Sequence, residues 1–339
     1  MSEIRQNLVT KDWVIIATER AKRPEDFKKK IENIYVCSPF SNLVPELEST
    51  CPFCPGNEEK MSPDETLRIE KNGNWQVRII PNKFPALNKI GERVRTVDGI
   101  KRKFAGVGLH EVIIETPFHN LTTALLPLDN VRNIVKSYKL KYNQMLEDKR
   151  IEMITIFKNH GEAAGTSLVH PHSQIVATPI VPAQVRERFN DAQKYFDENC
   201  ECVHCKTLSE ELKDGMRIVL ETKYFVSFIP YAALSPFHQW IYPKRHCSSF
   251  GDITEDEISD LAINLQTTLK KYYIGLDNPD FNYVIRSSPT DLKNLDFFHW
   301  YISIVPRITK TAGFELGSGM FINTSLPEND AKFLRDIKI

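Results

Sequence analysis

The 339 residues can fill one large core or two ordinary ones, and a hydrophobic share of 41% is enough for a globular fold. Lys plus Arg and Asp plus Glu each number 44, so the formal net charge is zero. With no long basic run, the footprint of a nucleic-acid binder is missing, while a local phosphate site stays open. The opening MSEIRQNLVTKDW is not a basic-then-apolar leader and no apolar stretch is long enough to span a bilayer, which predicts a soluble, cytoplasmic protein.

In chain order, a strand over 13–18 runs into ERAKRPEDF, where Arg20, Lys22 and Arg23 crowd against Pro24. Such a turn is either simply solvated or a bidentate clamp for phosphate. Residues 28–50 are polar and irregular and predict a mobile loop. CPFCPGN then holds Cys51 and Cys54 close together between prolines and a glycine. A strand over 75–80 leads into PNKFPAL, residues 88–106 predict a basic, glycine-containing loop, and a strand over 109–115 ends at TPFH with His119. Val131, Ile134, Val135, Tyr138, Tyr142, Met145 and Leu146 recur at helical spacing, so 129–148 predicts an amphipathic helix whose stripe is core.

A strand over 151–157 feeds KNHGEAAGTSLVHPHSQIV. Alternate strand positions share a face, so His170, His172 and Gln174 point the same way. Three hydrogen-bonding side chains on a face normally filled with Val, Ile or Leu cost desolvation energy unless each has a partner. The row therefore points to chemistry in preference to a solvated edge strand. A helix over 181–199 closes this half.

The remainder repeats the plan. ECVHCK is followed by strands over 217–221 and 224–229, then PYAALSPF, a strand over 237–242 ending at PKRH with His246, and a helix announced by Thr254 and Glu257 as a capping box. A strand over 281–286 and the strand FHWYISIV with His299 complete the parallel. His119 and His170 are 51 residues apart, His246 and His299 are 53 apart, and the matching order supports an internal duplication.

Cys51, Cys54, His119 and His170 thus make one Cys2His2 set, and Cys202, Cys205, His246 and His299 a second. Thiolates and imidazoles in fours suit tetrahedral zinc, and closed sets of four are structural. The gaps are too long for a zinc finger. Each CxxC alone reads equally as a redox dithiol, and the duplicated spacing favours metal. Cys37, Cys200 and Cys247 remain as free thiols. The first copy reads HPHSQ where the second reads HWYIS, so one half is the catalyst and the other its scaffold.

At these residues the chain resembles the galactose-1-phosphate uridylyltransferase family of the histidine-triad superfamily, through DWVIIATERAKRP, CPFC, IPNKFPAL, ETPFH, KNHGEAAGTSLVHPHSQ, IPYAALSPF and FHWYISIVPR. The resemblance implies an α+β fold of two histidine-triad-like halves, residues 1–199 and 200–339, each an antiparallel sheet with packed helices. It also implies a nucleotidyl-histidine intermediate and a homodimer. It makes His172 the nucleophile, His170 a metal ligand and Gln174 the amide that steadies the phosphate, with Ser167, Arg20 and Arg23 as further phosphate contacts. Asn82 and Phe84 fall in its nucleotide-binding strand, and Asn159 joins the substrate contacts.

The residue chemistry agrees. A neutral imidazole is nucleophilic near neutral pH and leaves readily from a phosphoramidate, and charge building on the α-phosphate needs donors aimed at it. Uridylyl exchange between UDP-glucose and galactose-1-phosphate is the first expectation. The segment AGFELGSGMFINTSLPENDAKFLRDI and the Cys202/Cys205 pair are more similar to a related branch, the plant ADP-glucose phosphorylases, which pass AMP from ADP-glucose to phosphate. Two other classes stay open. A histidine-triad hydrolase is disfavoured by Gln174 in place of a third histidine, and a zinc-stabilised binding protein would need no lone reactive histidine.

Overall fold

The computed structural model describes residues 2–20, 44–58, 64–292 and 294–339. From the N-terminus run β1 (Glu3–Gln6), β2 (Trp13–Ile16), β3 (Leu67–Lys71), β4 (Asn74–Pro81), β5 (Arg95–Asp98), β6 (Lys101–Phe104), β7 (Leu109–Ile114), α1 (Leu128–Met145), β8 (Met153–His160), β9 (His172–Thr178) and α2 (Ala183–Asn199). There follow α3 (Val203–Asp214), β10 (Ile218–Glu221), β11 (Phe225–Phe228), β12 (Gln239–Pro243), α4 (Glu255–Gly275), β13 (Phe281–Arg286), β14 (Tyr301–Pro306), α5 (Gly313–Ser318), β15 (Phe321–Asn323) and α6 (Pro327–Asp336).

Ten strands form one antiparallel sheet in the order β10-β11-β12-β14-β13-β8-β9-β7-β4-β3. Read inward from either edge, each five-stranded half places its fifth strand before its fourth, and the two fourth strands, β8 and β13, pair in the middle from His160↔Phe281 to Ile156↔Ile285. The expected α+β architecture thus forms as two antiparallel halves joined edge to edge. A second, three-stranded sheet brings the chain ends together, with β15 parallel to β2.

One face of the large sheet is dry. The α1 stripe of Val131, Ile134, Val135, Tyr138 and Tyr142 and the α4 stripe of Ile258, Leu261, Leu265 and Leu269 bury against Ile156, Ile175, Tyr283 and Ile302 in a single core that spans both halves. At about 25 cal/mol per Å² of apolar surface, burial on this scale is the main source of stability. The capping box starts α4 as expected: Glu257 N–H donates to Thr254 Oγ1 at 3.2 Å and Thr254 N–H donates to Glu257 Oε2 at 2.9 Å. The opposite face, carrying alternate residues of β7 and β9, holds the site.

One element differs from expectation. Residues 88–106 contain the hairpin β5–β6, closed by Gly99–Ile100 with φ +56° at Gly99, where a loop was expected. Its strand residues are all exposed, so it has no apolar alternation to read. The second CxxC is a helix start: Cys202 is the N-cap of α3 and Cys205 lies in its first turn, with Gly215 ending the helix at φ +70°. Of the loop expected over 28–50, residues 28–43 lie outside the described residues, as do Arg23 and Cys37. No helix among the described residues is long and apolar enough to cross a membrane.

Candidate active site and metal centres

The approach to the site is set by glycine. After β8 the chain turns at Gly161, with φ +83°, where a Cβ would collide with the Asp280 carboxylate, and Gly165 at φ +86° ends the following short turn. That double reversal delivers residues 166–171 back across the sheet and starts β9 at His172.

His172 is 8% exposed, with the Phe53 ring of the first cysteine knuckle edge-on at 5.4 Å. Its Nδ1 lies 2.9 Å from the carbonyl oxygen of His170. A carbonyl can only accept, so Nδ1 carries a proton and donates it. Burial holds this imidazole below its ordinary pKa, against the upward pull of the His170 carbonyl, so the ring is neutral at neutral pH and Nε2 keeps its lone pair.

Behind the histidine strand lies a buried polar network that the sequence reading passed over. Glu115, fully buried, pairs with Lys158 Nζ at 2.6 Å and accepts from Thr123 Oγ1 at 2.8 Å, Tyr138 OH at 3.0 Å and Ser173 Oγ. Lys158 also donates to the carbonyl of His172 at 3.4 Å, and Tyr138 OH meets Tyr283 OH at 2.6 Å. Burial pushes the Glu115 carboxyl up, but the Lys158 charge and the hydrogen bonds outweigh it and hold the group below the usual carboxylate range. The signal was present: Lys158 sits within, and Glu115 directly follows, a strand otherwise rich in Ile, Val and Phe.

Gln174 lies two residues beyond His172, in register with Val112 and Phe157, its Oε1 2.8 Å from His110 Nε2. Asn82 reaches the same imidazole, with Nδ2 3.1 Å from Nε2, while its Oδ1 accepts from Phe84 N–H at 2.9 Å. Phe84 is 81% exposed. On the other flank Asn159 accepts from Asn282 Nδ2 at 2.8 Å, which leaves its own NH2 to donate. Ser167 is exposed in the turn before His170, and Arg20 ends the short helical turn Thr18–Arg20.

The first metal set is complete. The ligand atoms of Cys51, Cys54, His119 and His170 all lie within 4.8 Å of one another, and all four residues are buried. Cys51 Sγ and Cys54 Sγ stand 3.7 and 3.6 Å from His170 Nδ1, and Cys54 Sγ stands 3.5 Å from His119 Nδ1. With metal–sulfur bonds of about 2.3 Å and metal–nitrogen bonds of about 2.1 Å, tetrahedral ligands are about 3.6 Å apart, so the cage fits. His170 Nε2–H donates to the Thr116 carbonyl at 2.8 Å, which turns the Nδ1 lone pair to the thiols. Burial holds His170 down to about 4 and pushes the Cys54 thiol up to about 11, so a metal would displace the thiol proton.

The second set closes less fully. Cys202, Cys205 and His246 come within 4.8 Å, with Cys205 Sγ 3.2 Å from His246 Nδ1, and His299, expected as the fourth ligand, falls outside that radius. Its ring lies nearly parallel to that of His246 with centroids 5.5 Å apart, and its Nε2–H donates to the Arg245 carbonyl at 2.9 Å, the counterpart of the bond from His170 to Thr116. Its buried Nδ1 has no hydrogen-bond partner among the described residues, and a shared metal would satisfy it. Two residues on, where the first half has His172, Tyr301 stacks on Tyr242 at 4.9 Å. That half carries no second imidazole on its strand.

An α+β sheet that sets a neutral imidazole beside a Cys2His2 cluster able to hold a metal ion accords with a nucleotidyl transferase. The chain belongs to the galactose-1-phosphate uridyl transferase family, whose N-terminal-domain model, "Galactose-1-phosphate uridyl transferase, N-terminal domain", matches residues 1–182. It is 36% identical over 341 residues to an ADP-glucose phosphorylase of Arabidopsis thaliana, covering 99% of this chain and 93% of that one. It is 28% identical over 349 residues to a galactose-1-phosphate uridylyltransferase of Thermotoga maritima, covering 100% and 99%. The crystal structure of an ADP-glucose phosphorylase from Arabidopsis thaliana with bound ADP-glucose superposes with a TM-score of 0.83 at 32% identity, covering 100% of this chain and 99% of that one.

Proposed function

We propose that the protein moves a nucleoside monophosphate from a nucleotide sugar to an acceptor through a covalent intermediate on His172. The observation that carries this is the committed Nδ1–H of His172, 2.9 Å from the His170 carbonyl, which leaves Nε2 as the nucleophile. Nε2 attacks the α-phosphorus, and the bond to the sugar-phosphate oxygen breaks with its electron pair, releasing hexose-1-phosphate. The imidazole becomes positively charged as it is phosphorylated, and the His170 carbonyl on Nδ1–H stabilises that charge. An acceptor oxygen then attacks the same phosphorus, the P–N bond breaks, and His172 returns neutral.

Gln174, Ser167, Arg20 and Arg23 supply donors to the phosphate oxygens, Asn82 and Phe84 hold the nucleoside, and Asn159 donates at the other flank. Two zinc ions, on Cys51, Cys54, His119 and His170 and on Cys202, Cys205, His246 and His299, would be structural. Through His170 the first cage fixes the start of β9 and so the aim of His172.

ADP-glucose as donor with phosphate as acceptor is supported by the 36% identity to an ADP-glucose phosphorylase. Transfer from UDP-glucose to galactose-1-phosphate is the second reading, supported by the family model and the Thermotoga maritima relative. The test is a panel of ADP-, UDP- and GDP-glucose, each with phosphate and with galactose-1-phosphate. Fastest turnover with ADP-glucose and phosphate supports the first reading, and fastest turnover with UDP-glucose and galactose-1-phosphate the second. Release of nucleotide to water alone would overturn both.

A further inference from the structure

A phosphate oxygen only accepts, so Gln174 serves the chemistry above only if its NH2, and not its carbonyl oxygen, is turned to the substrate. The two ends of an amide are nearly the same shape, and nothing in Gln174 itself decides between them. We propose that His110 is a positioning residue that sets the polarity of the Gln174 amide. The inference rests on the reading of His172 as the nucleophile.

His110 lies on β7 opposite Val176, on the same sheet face as Gln174, which pairs with Val112. The backbone N–H of Ala86 points at His110 Nδ1 from 3.1 Å. A backbone N–H can only donate, so Nδ1 holds a lone pair and the ring's proton is on Nε2. That Nε2–H, 2.8 Å from the Gln174 side chain, requires an acceptor there, so Oε1 faces His110 and Nε2 of Gln174 is left to donate elsewhere.

Asn82 tests the assignment. Its Oδ1 is taken by Phe84 N–H, so its NH2 stands 3.1 Å from the same His110 Nε2. Giving Nε2 the lone pair would suit Asn82 but would set a ring N–H against Ala86 N–H and orphan a backbone donor. The tautomer with the proton on Nε2 satisfies Ala86 and Gln174 together, and leaves the Asn82 NH2 to an acceptor that substrate brings. The relay belongs to the fold. In the second half Leu234 N–H meets His238 Nδ1 at 3.3 Å, His238 Nε2 lies 2.9 Å from Ser303 Oγ, and Trp240 Nε1 at 3.2 Å takes the place of Asn82. Ser303 follows His299 by four residues as Gln174 follows His170, so the last member is a hydroxyl in one half and an amide in the other.

The test has two arms on the full-length, metal-loaded protein. In nitrogen-15 spectra of histidine-labelled protein without substrate, assigned with a His110→Gln variant, the His110 signal should show a bare Nδ1 and a protonated Nε2. A proton on Nδ1 overturns the proposal. In single-turnover formation of the nucleotidyl adduct from ADP-glucose or UDP-glucose, His110→Phe should slow the step about ten- to hundredfold with KM little changed. His110→Gln, whose amide can still donate to Gln174 Oε1, should recover most of that rate. His110→Phe at the wild-type rate, or a His110→Gln variant as slow as the Phe variant, also overturns it. A wild-type protein that forms no adduct would sink the reading of His172 and leave the tautomer to decide the role of His110.

Discussion

At the scale of single residues, the site depends on which nitrogens and oxygens are already committed. His170 spends Nε2 on the Thr116 carbonyl and turns Nδ1 to the cage, whereas His172 spends Nδ1 on the His170 carbonyl and keeps Nε2. The same accounting applies behind the strand, where the Glu115–Lys158 pair is buried at both ends. Lys158→Met would leave a buried carboxylate without its counter-charge and should cost roughly 3–5 kcal/mol in denaturant unfolding at neutral pH. Adding Glu115→Gln should recover part of that loss. Because Glu115 is held below its ordinary range, the pair's contribution is present above the unfolded carboxylate value of about 4.3 and is lost as pH falls through the lower folded value. The wild type should therefore lose more stability than the double variant on acidification below about pH 4. Wild-type stability in Lys158→Met at pH 7 would contradict this account of the pair.

At the scale of elements, what could be read in the sequence was what repeats locally. The α1 stripe, the Thr254 cap and the alternation of His172 and Gln174 each follow from neighbours a few residues away, and each is where it was expected, whereas His170, expected on the same strand, lies in the turn before β9. Thr254→Ala should cost about 1 kcal/mol, read as a lower denaturation midpoint at unchanged slope, with turnover unaffected. A loss of turnover at unchanged stability would mean that α4 does more than pack. The hairpin β5–β6 was missed because both of its faces are exposed, although the pair Asp98–Gly99 was an available turn signal. The role of His110 was not legible at all. It depends on a backbone N–H from residue 86 and on the register of β7 against β9, and neither is a property of its own neighbourhood.

At the scale of the whole molecule, a single sheet carries both metal sets and one reactive strand. Both halves share one core, so weakening either cage should be felt as stability throughout, while on the proposed mechanism the reacting histidine is on the first half. Cys202→Ser should lower the metal content from about two equivalents toward one and reduce the melting temperature, with the turnover of the remaining folded protein close to normal. A variant of normal melting temperature without turnover would contradict that division. The most direct test of the whole is intact-protein mass spectrometry after mixing with ADP-glucose or UDP-glucose and no acceptor, quenched at neutral or alkaline pH because phosphoramidates are acid-labile. The expected result is one nucleoside monophosphate added per chain, with hexose-1-phosphate released, and no addition to a His172→Gly variant that keeps its fold and metal. An adduct that persists in His172→Gly, or a wild-type enzyme that turns over without ever carrying one, would contradict the covalent mechanism.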